Sequence, residues 1–202
     1  MKREPHGVTL IELAVVLAIV AILLSQAGSY FSAWTQNVQI RTATESIQNG
    51  LQLARSEAIR RNRSVMFWLT STATPTPADW LVGCSTPAGA GVQPEAAGDC
   101  PGSHTTGGAP TAYNWIQRQL AADQQTGLAQ VTITPAGATN VTFNSLGLVT
   151  VNTDGSASMT QIDVAIPSLP TSSAHPLRVT VSGGQIRMCD PALSPSTDPR
   201  GC

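Results

Sequence analysis

Charged side chains are scarce in this chain of 202 residues, because Asp, Glu, Lys and Arg together make up only 11% of it, against a typical figure of about 25%. Lys2 is the only lysine, and the formal net charge is -1. The chain is therefore not globally basic, and bulk attraction to nucleic acid or to anionic lipid is not implied. Its surface must be carried by Thr, Ser, Asn, Gln, Gly and Pro, which is typical of an envelope-exposed protein rather than of a cytosolic enzyme.

The sequence motifs of common enzymes are also missing. The chain has no Gly-x-Ser-x-Gly elbow, no Gly-rich phosphate loop and no His-Glu-x-x-His zinc motif. His104 and His175 lie in a Gly-rich segment and before a proline, where exposed loop histidines are common. Asn152–Gly155 lacks the further acids of a calcium loop and is better explained as an Asp-Gly hairpin turn. We therefore predict that the protein is not an enzyme and has no metal site or cofactor.

Four cysteines, Cys84, Cys100, Cys189 and Cys202, are present, and none of them forms a Cys-x-x-Cys pair of the kind that zinc sites use. An even number of cysteines in an exported chain indicates two disulfides. Three pairings are possible. We favour Cys84 with Cys100 and Cys189 with Cys202, because each closes a short Gly/Pro-rich loop, which adds roughly 3 kcal/mol through the unfolded state.

One acid precedes a long apolar run near the start of the chain. Glu12 leads into Ala14–Leu24, which contains no charged residue. A carboxylate in a membrane-compatible helix costs about 2.5 to 3.5 kcal/mol, so it usually has a partner or a function. If the chain is cut after Gly7, Val8 becomes the first residue, and Glu12 lies one helical turn later, where it can pair with a free amine of its own chain or of a neighbour.

Two simpler interpretations of the same segment remain. An ordinary secretory signal would have its basic start at Lys2-Arg3 and its cut site at Ser25–Ala27, but an apolar core of this kind rarely carries an acid, and the helical pattern continues beyond the cut. A plain membrane anchor leaves Glu12 unexplained. Its apolar length, Val8–Leu24, is also marginal for a hydrocarbon core of about 30 Å.

The helical pattern runs from Val8 to about Asn62, and its two halves differ. Residues 8–35 are apolar all round, as a membrane-spanning or filament-core segment must be. From Gln36 onward the apolar residues fall on one stripe, which is predicted to pack on a sheet. The stripe consists of Ile40, Ala43, Ile47, Leu51, Ala54 and Ala58.

After Arg63 the pattern changes to short β-like runs separated by turn residues. These runs are 64–70, 80–83, 113–120, 130–134, 141–144, 148–152, 161–166, 177–182 and 185–189. Between them, 70–78 and 85–110 are rich in Pro, Gly, Ala, Ser and Thr and are predicted to be exposed loops. The fold expected is α+β, with a long N-terminal helix on an antiparallel sheet and a tail closed by a disulfide.

Gly7, Val8 and Glu12 together resemble the processing site of the type IV pilin and type II secretion pseudopilin superfamily. In that family a prepilin peptidase cuts after the glycine, the new first residue is N-methylated, and the fifth mature residue is glutamate. The segment 51–62 resembles the helix end of the GspH and FimT branch of minor pilins. The resemblance implies a leader peptide at 1–7, a transmembrane or filament-core helix at 8–35 and a periplasmic or extracellular globular domain at 36–202.

The same resemblance implies a structural subunit of a type IV pilus or of a type II secretion pseudopilus. Such a subunit is held in the bacterial inner membrane by a single span, is processed by prepilin peptidase, and then joins other pilins in a filament, near its tip. Glu12 would neutralise the amine of a neighbouring subunit during assembly.

A second function is implied by the FimT side of the branch, whose minor pilins are implicated in capturing DNA through a C-terminal Gly-Arg-x-Arg motif. The matching stretch here is Gly184–Arg187, in which Gln185 replaces the first arginine. A glutamine donates hydrogen bonds but adds no charge for counterion release. Gln185, Arg187, Arg178 and Arg200 are the candidate contacts with double-stranded DNA.

Overall fold

The computed structural model describes residues 9–70, 77–84, 96–97 and 114–202, and no side chains for 24–30, 96–97 and 114. The chain divides into two compact units, Met1–Thr35 and Gln36–Cys202. The first unit contains the start of helix α1, which runs over Leu10–Arg61. The second contains the rest of α1 and all the strands. A long helix followed by antiparallel sheets confirms the α+β fold that the sequence predicted.

Helix α1 ends at an asparagine in the left-handed conformation, Asn62, with φ of 50°. The backbone N–H of Arg63 donates to the carbonyl of Ala58 at 3.1 Å, which satisfies one of the last carbonyls of the helix. In the last turns Arg60 and Arg61 both donate to the Glu57 carboxylate at 2.6 Å. The hydrogen bond from Arg60 is the main cause that holds the pKa of Glu57 below its ordinary value, although burial opposes it.

The first half of α1 was predicted to be a membrane-spanning segment. Within the described residues, no helix has the combination of length and apolarity that crossing a bilayer requires. The membrane-spanning role of residues 8–35 therefore stays a prediction from the sequence.

The second half of α1 carries the predicted apolar stripe, and all six of its members are fully buried. At Gly50 the helix lies directly on two aromatic rings: a Cβ atom there would be 2.8 Å from a ring carbon of Phe67 and 3.0 Å from the Trp80 indole. The Trp80 indole N–H donates to Ser46 Oγ at 2.8 Å. Glycine is therefore required for the helix to approach the sheet this closely.

The strands form two sheets. The first has the order β3-β4-β2-β1-β6-β7, and the second has the order β10-β9-β8-β5. All neighbouring strands are antiparallel except β3 and β4, which are parallel. The strands are β1 Val65–Leu69, β2 Trp80–Cys84, β3 Ala96–Ala97, β4 Asn114–Gln119, β5 Gln130–Thr134, β6 Asn140–Phe143, β7 Val149–Thr150, β8 Gln161–Ala165, β9 Leu177–Ser182 and β10 Gln185–Cys189.

Three details differ from the sequence prediction. The strands form two sheets rather than one, and β3 lies inside the segment 85–110, which was predicted to be an exposed loop. Ala78, at the end of the other predicted loop, is buried. The number of sheets could not be predicted because side-chain alternation indicates where a strand lies but not which strand it pairs with.

The turn at Asn152–Gly155 is not the hairpin that the Asp-Gly pair suggested. It follows β7 of the first sheet and precedes β8 of the second, so the strands on either side do not pair with each other. Gly155 has a φ of 74°, which favours glycine. Asn152 itself is buried, with a relative exposure of 2%, and its side chain connects this turn to β6.

The connection is a network of polar side chains, of which Thr142, Asn140 and Asn152 are buried and Asp154 and Ser156 are half-buried. Thr142 Oγ1 donates to Asn152 Oδ1 at 2.8 Å, and Asn152 Nδ2 donates to Asn140 Oδ1 at 2.7 Å. Asn140 Nδ2 then donates to Asp154 Oδ2 at 2.9 Å, and Ser156 Oγ donates to Asp154 Oδ1 at 2.6 Å. Such a network specifies one geometry because every member has a partner.

Asp154 takes part in this network as an ionised carboxylate. Burial alone would raise its pKa, but the hydrogen bonds that it accepts from the side chain and backbone of Ser156 and from Asn140 outweigh burial and lower it. Because the folded-state pKa is the lower one, ionised Asp154 stabilises the fold at neutral pH. This contribution is lost as the pH falls through the folded-state pKa.

Candidate functional site

The candidate processing site lies at the start of the chain. Gly7 and Val8 fall outside the described residues, whereas Glu12 lies in the first turn of α1 and is exposed. A carboxylate in the first turn interacts favourably with the positive end of the helix dipole. The neighbouring side chains Leu10, Ile11 and Leu13 are also exposed, with relative exposures of 88%, 72% and 56%.

Thr9 is a residue at this site that sequence reasoning missed. Its Oγ1 accepts a hydrogen bond from the backbone N–H of Glu12 at 3.3 Å, so Thr9 is the N-cap of α1. The signal was present in the sequence, because Thr9 followed three residues later by Glu12 has the spacing of a capping box. Glu12 therefore also has a local structural role at the helix start.

The candidate DNA contacts lie on the hairpin of β9 and β10. Gln185 and Arg187 alternate with inward-facing residues along β10, and both are exposed. Cys189 pairs with Arg178 across the hairpin, so Arg178 lies on the same face as Gln185 and Arg187. The structure thus brings three of the four candidates onto one face of the second sheet.

Arg187 is used to hold the C-terminal tail. Its Nη2 donates to the backbone carbonyls of Pro199 at 3.0 Å and Gly201 at 2.8 Å. The tail is also tied by backbone bonds, in which Asp190 N–H donates to the Arg200 carbonyl at 2.8 Å and Cys202 N–H donates to the Asp190 carbonyl at 3.2 Å. The position of Arg187 therefore has a structural explanation that does not involve DNA.

Arg178 and Arg200 each pair with a carboxylate. Arg178 contacts both oxygens of Asp163, with its Nε 2.6 Å from Oδ1 and its Nη2 3.3 Å from Oδ2. Arg200 contacts Asp198 in the same two-point manner, at 3.1 and 2.8 Å. The hydrogen bond from the Arg200 side chain, followed by the one from its backbone N–H, lowers the pKa of Asp198 to about 2.

The charges of this region nearly cancel. The three arginines are accompanied by Asp163 on the neighbouring strand β8 and by Asp190 and Asp198 on the tail. DNA affinity depends mainly on the number of phosphates that cations neutralise. An arginine that already pairs with a carboxylate must exchange that partner before it can contribute. Arg178 and Arg200 would have to make this exchange before they could contact phosphate.

The glycine of the motif match also has a structural explanation. Gly184 has a φ of 121°, and a Cβ atom at this position would be 2.5 Å from the carbonyl oxygen of Gly147. This carbonyl accepts a hydrogen bond from Arg55 Nε of the helix at 3.1 Å. Gly184 thus permits the turn of the β9-β10 hairpin to contact the turn between β6 and β7. The sequence contains no local signal of this long-range contact.

Two disulfides account for the described cysteines. Cys189 is joined to Cys202, with a Cα–Cα distance of 5.2 Å, which is the pairing favoured from the sequence. Cys84 is also disulfide-bonded, whereas Cys100 lies outside the described residues. Sulfurs held in disulfides are not thiolates, so these three cysteines cannot serve as zinc ligands.

Comparison with known families gives two matches. The family described as Type II transport protein GspH matches residues 43–185, which is more than half of the chain. The prokaryotic N-terminal methylation motif matches residues 2–25, the segment that contains Gly7, Val8 and Glu12. No curated protein matches the chain significantly.

Two solved structures are similar to the chain, and both are crystal structures of the type IV minor pilin FimU of Pseudomonas aeruginosa. The structure in space group P21 has 16% identity and a TM-score of 0.44 and covers 82% of this chain and 95% of its own. The structure in space group P65 has 16% identity and a TM-score of 0.41 and covers 78% and 94%. The family match over residues 43–185 and the methylation motif at residues 2–25 show that the chain belongs to the GspH family of pilin-like proteins.

Proposed function

We propose that the protein is a minor pilin or pseudopilin, a structural subunit of a type IV pilus or of a type II secretion pseudopilus. The observation that carries this proposal is the N-terminal methylation motif at residues 2–25 on a chain whose residues 43–185 match the GspH family. In this proposal prepilin peptidase removes residues 1–7 and the amine of Val8 is methylated. The subunit is held in the bacterial inner membrane by its first helical segment, with residues 36–202 in the periplasm, before it enters the filament near the tip.

The first turns of α1 support a role in assembly. Leu10, Ile11 and Leu13 are exposed, and they are large enough for each to gain about 1.5 to 3 kcal/mol when a neighbouring helix buries it. Glu12 lies among them and would be costly to bury without a positive partner. The methylated amine of a neighbouring subunit is a partner of the right charge, so Glu12 would favour one register of helix packing.

Processing is tested by the intact mass of the chain after expression with a prepilin peptidase. We expect the loss of residues 1–7 and the addition of one methyl group at Val8. Glu12→Gln should reduce incorporation into filaments, because the pairing charge is absent. Glu45→Gln, which removes an exposed acid paired with Arg41 at 2.7 Å, is the control and should assemble normally. A chain that begins at Gly28 would indicate an ordinary secretory signal and contradict the proposal.

The alternative function, capture of DNA through the β9-β10 hairpin, is less well supported because Arg187, Arg178 and Arg200 all have internal partners. We expect the full chain in detergent to show little salt-sensitive binding to duplex DNA. Gln185→Arg should strengthen binding and increase the salt slope by about 0.9, the value for one added phosphate contact. Gln52→Arg adds the same charge on an exposed position of α1 and should have a smaller effect. Strong wild-type binding that falls with salt would favour the DNA-capturing function instead.

A further inference from the structure

The face of the first sheet that contacts α1 changes from apolar to polar at strand β4. Phe67 and Trp80, the residues under Gly50, define this face. Phe67 pairs with Val82 and Leu69 pairs with Trp80, and all four side chains are buried. The opposite face carries the cluster of Met66, Trp68 and Leu81, against which Trp115 packs.

On the face that contacts α1, the two pairs Phe67–Val82 and Leu69–Trp80 each have a glutamine as their next neighbour on β4. Val82 pairs with Gln117 and Trp80 pairs with Gln119, and directly paired residues lie on the same side of a sheet. Gln117 and Gln119 therefore occupy positions that face the helix side, where β1 and β2 have only apolar residues. Such a departure from the local pattern is expected mainly at functional sites.

A cleft of about 200 Å³ lies between this part of β4 and helix α1. Four side-chain amides line it: Asn49 from the helix, Gln117 and Gln119 from β4, and Gln124 from the turn after β4. Leu53 and the small exposed part of Trp80, whose relative exposure is 3%, provide its apolar surface. None of the described residues that line the cleft carries a charge.

The four amides are available to a ligand. In the part of the chain that the structure describes, none of their side chains makes a hydrogen bond within the protein. The indole N–H of Trp80, by contrast, is already used by Ser46 at 2.8 Å. Each free amide has two donors and one acceptor, so the cleft presents closely spaced donors and acceptors beside an apolar surface.

We propose that this cleft binds a neutral, hydroxyl-rich ligand, namely one sugar residue of an uncharged glycan. A sugar ring has neighbouring hydroxyls that both donate and accept, which matches side-chain amides, and it has C–H groups that can contact Leu53 and the edge of Trp80. The described lining residues are uncharged, so they offer no counter-charge to a nucleic acid or another acidic ligand. The volume is below the range of about 300 to 1,000 Å³ of sites for larger small molecules, so it suits a single ring.

The test uses the full chain in micelles of lauryldimethylamine oxide, because a detergent with a sugar headgroup would compete. The probes are D-glucose, D-galactose and N-acetyl-D-glucosamine, each added up to about 50 mM, since a single ring is expected to bind in the millimolar range. D-galacturonate is the charged probe of matching size, and a blocked trialanine peptide is the neutral peptide probe. Binding is measured by NMR from the side-chain amide signals of Gln117 and Gln119 and from the indole N–H of Trp80.

We expect saturable shifts of these signals with at least one neutral sugar and weaker shifts with D-galacturonate. Gln117→Leu combined with Gln119→Leu extends the apolar rows of the sheet and should weaken binding at least about tenfold, as the loss of one or two hydrogen bonds implies. Gln130→Leu, which alters a glutamine of β5 in the second sheet and outside the cleft lining, is the control and should bind normally. If the double variant loses its dispersed spectrum, Gln124→Ala in the turn replaces it.

Three results would overturn the proposal. One is the absence of any shift with all three neutral sugars. Another is binding of D-galacturonate or of the peptide at least as tight as that of the sugars, which would indicate an anion site or a peptide groove. The third is sugar binding that persists in a folded double variant, which would place the ligand elsewhere on the protein.

Discussion

Gly50→Leu is expected to destabilise the protein by at least about 3 kcal/mol, the upper end of the usual cost of overpacking a core. Even the first atom of the new side chain would be 2.8 Å from Phe67 and 3.0 Å from Trp80. Both rings are buried, so neither can move without disturbing the sheet beneath it. The free energy of unfolding, measured by urea titration, is the readout.

For the smaller replacement, Gly50→Ala, the sign of the change in the free energy of unfolding distinguishes packing from helix propensity. Replacing glycine in a helix normally stabilises it by up to about 1 kcal/mol, so Gly50→Ala has a favourable and an unfavourable contribution. We expect the unfavourable one to dominate. Gly127→Ala, in a turn, is the control for the added methyl group alone, because a Cβ atom at Gly127 would contact nothing within 4 Å. Stabilisation by Gly50→Ala would show that the helix can move away from the rings at little cost.

Asn152→Leu is expected to destabilise the protein by about 3 kcal/mol, because it removes hydrogen bonds from buried polar partners at about 1 to 3 kcal/mol each. The Thr142 hydroxyl, which is fully buried, would lose its acceptor at 2.8 Å, and Asn140 Oδ1 would lose one of its donors, at 2.7 Å, and keep Ser156 Oγ at 2.8 Å. A lowered midpoint of urea unfolding with an unchanged slope would show a loss of stability alone.

The network can be tested further with a double-mutant cycle. Thr142→Val alone should cost less than Asn152→Leu, because it removes one hydrogen bond. The combined variant should be less destabilised than the sum of the two, since the hydroxyl that Asn152→Leu leaves unpaired is then absent. Additive effects would mean that the two side chains stabilise the fold independently, despite the hydrogen bond between them.

The features that the sequence predicted well depend on local periodicity. All six members of the helical stripe are buried, and the bounds of β5, β9 and β10 agree with the runs identified beforehand. A helix repeat of 3.6 residues and a strand repeat of 2 can be recognised within a few turns or residues of the chain. No tertiary information is needed to find them.

The features that the sequence did not predict depend on contacts between distant segments. The division into two sheets required knowing that β1 pairs with β6 and β5 with β8. Arg178 was a candidate DNA contact in the sequence because its partner Asp163 lies fifteen residues away, too far for local periodicity to indicate the pair. Gly184 matched a binding motif, yet a Cβ atom at this position would collide with the carbonyl oxygen of Gly147.

The place of β1 in the first sheet has a mechanical consequence for a filament subunit. Helix α1 ends at Arg61 and β1 begins at Val65, so the force that a pulled helix transmits along its backbone enters the sheet through β1. This strand is interior, with β2 on one side and β6 on the other. To extract it, the force must break both rows of hydrogen bonds together, whereas an edge strand such as β7 could be peeled away from one neighbour. The chain thus transmits tension from its helix into the part of the sheet that resists extraction from both sides.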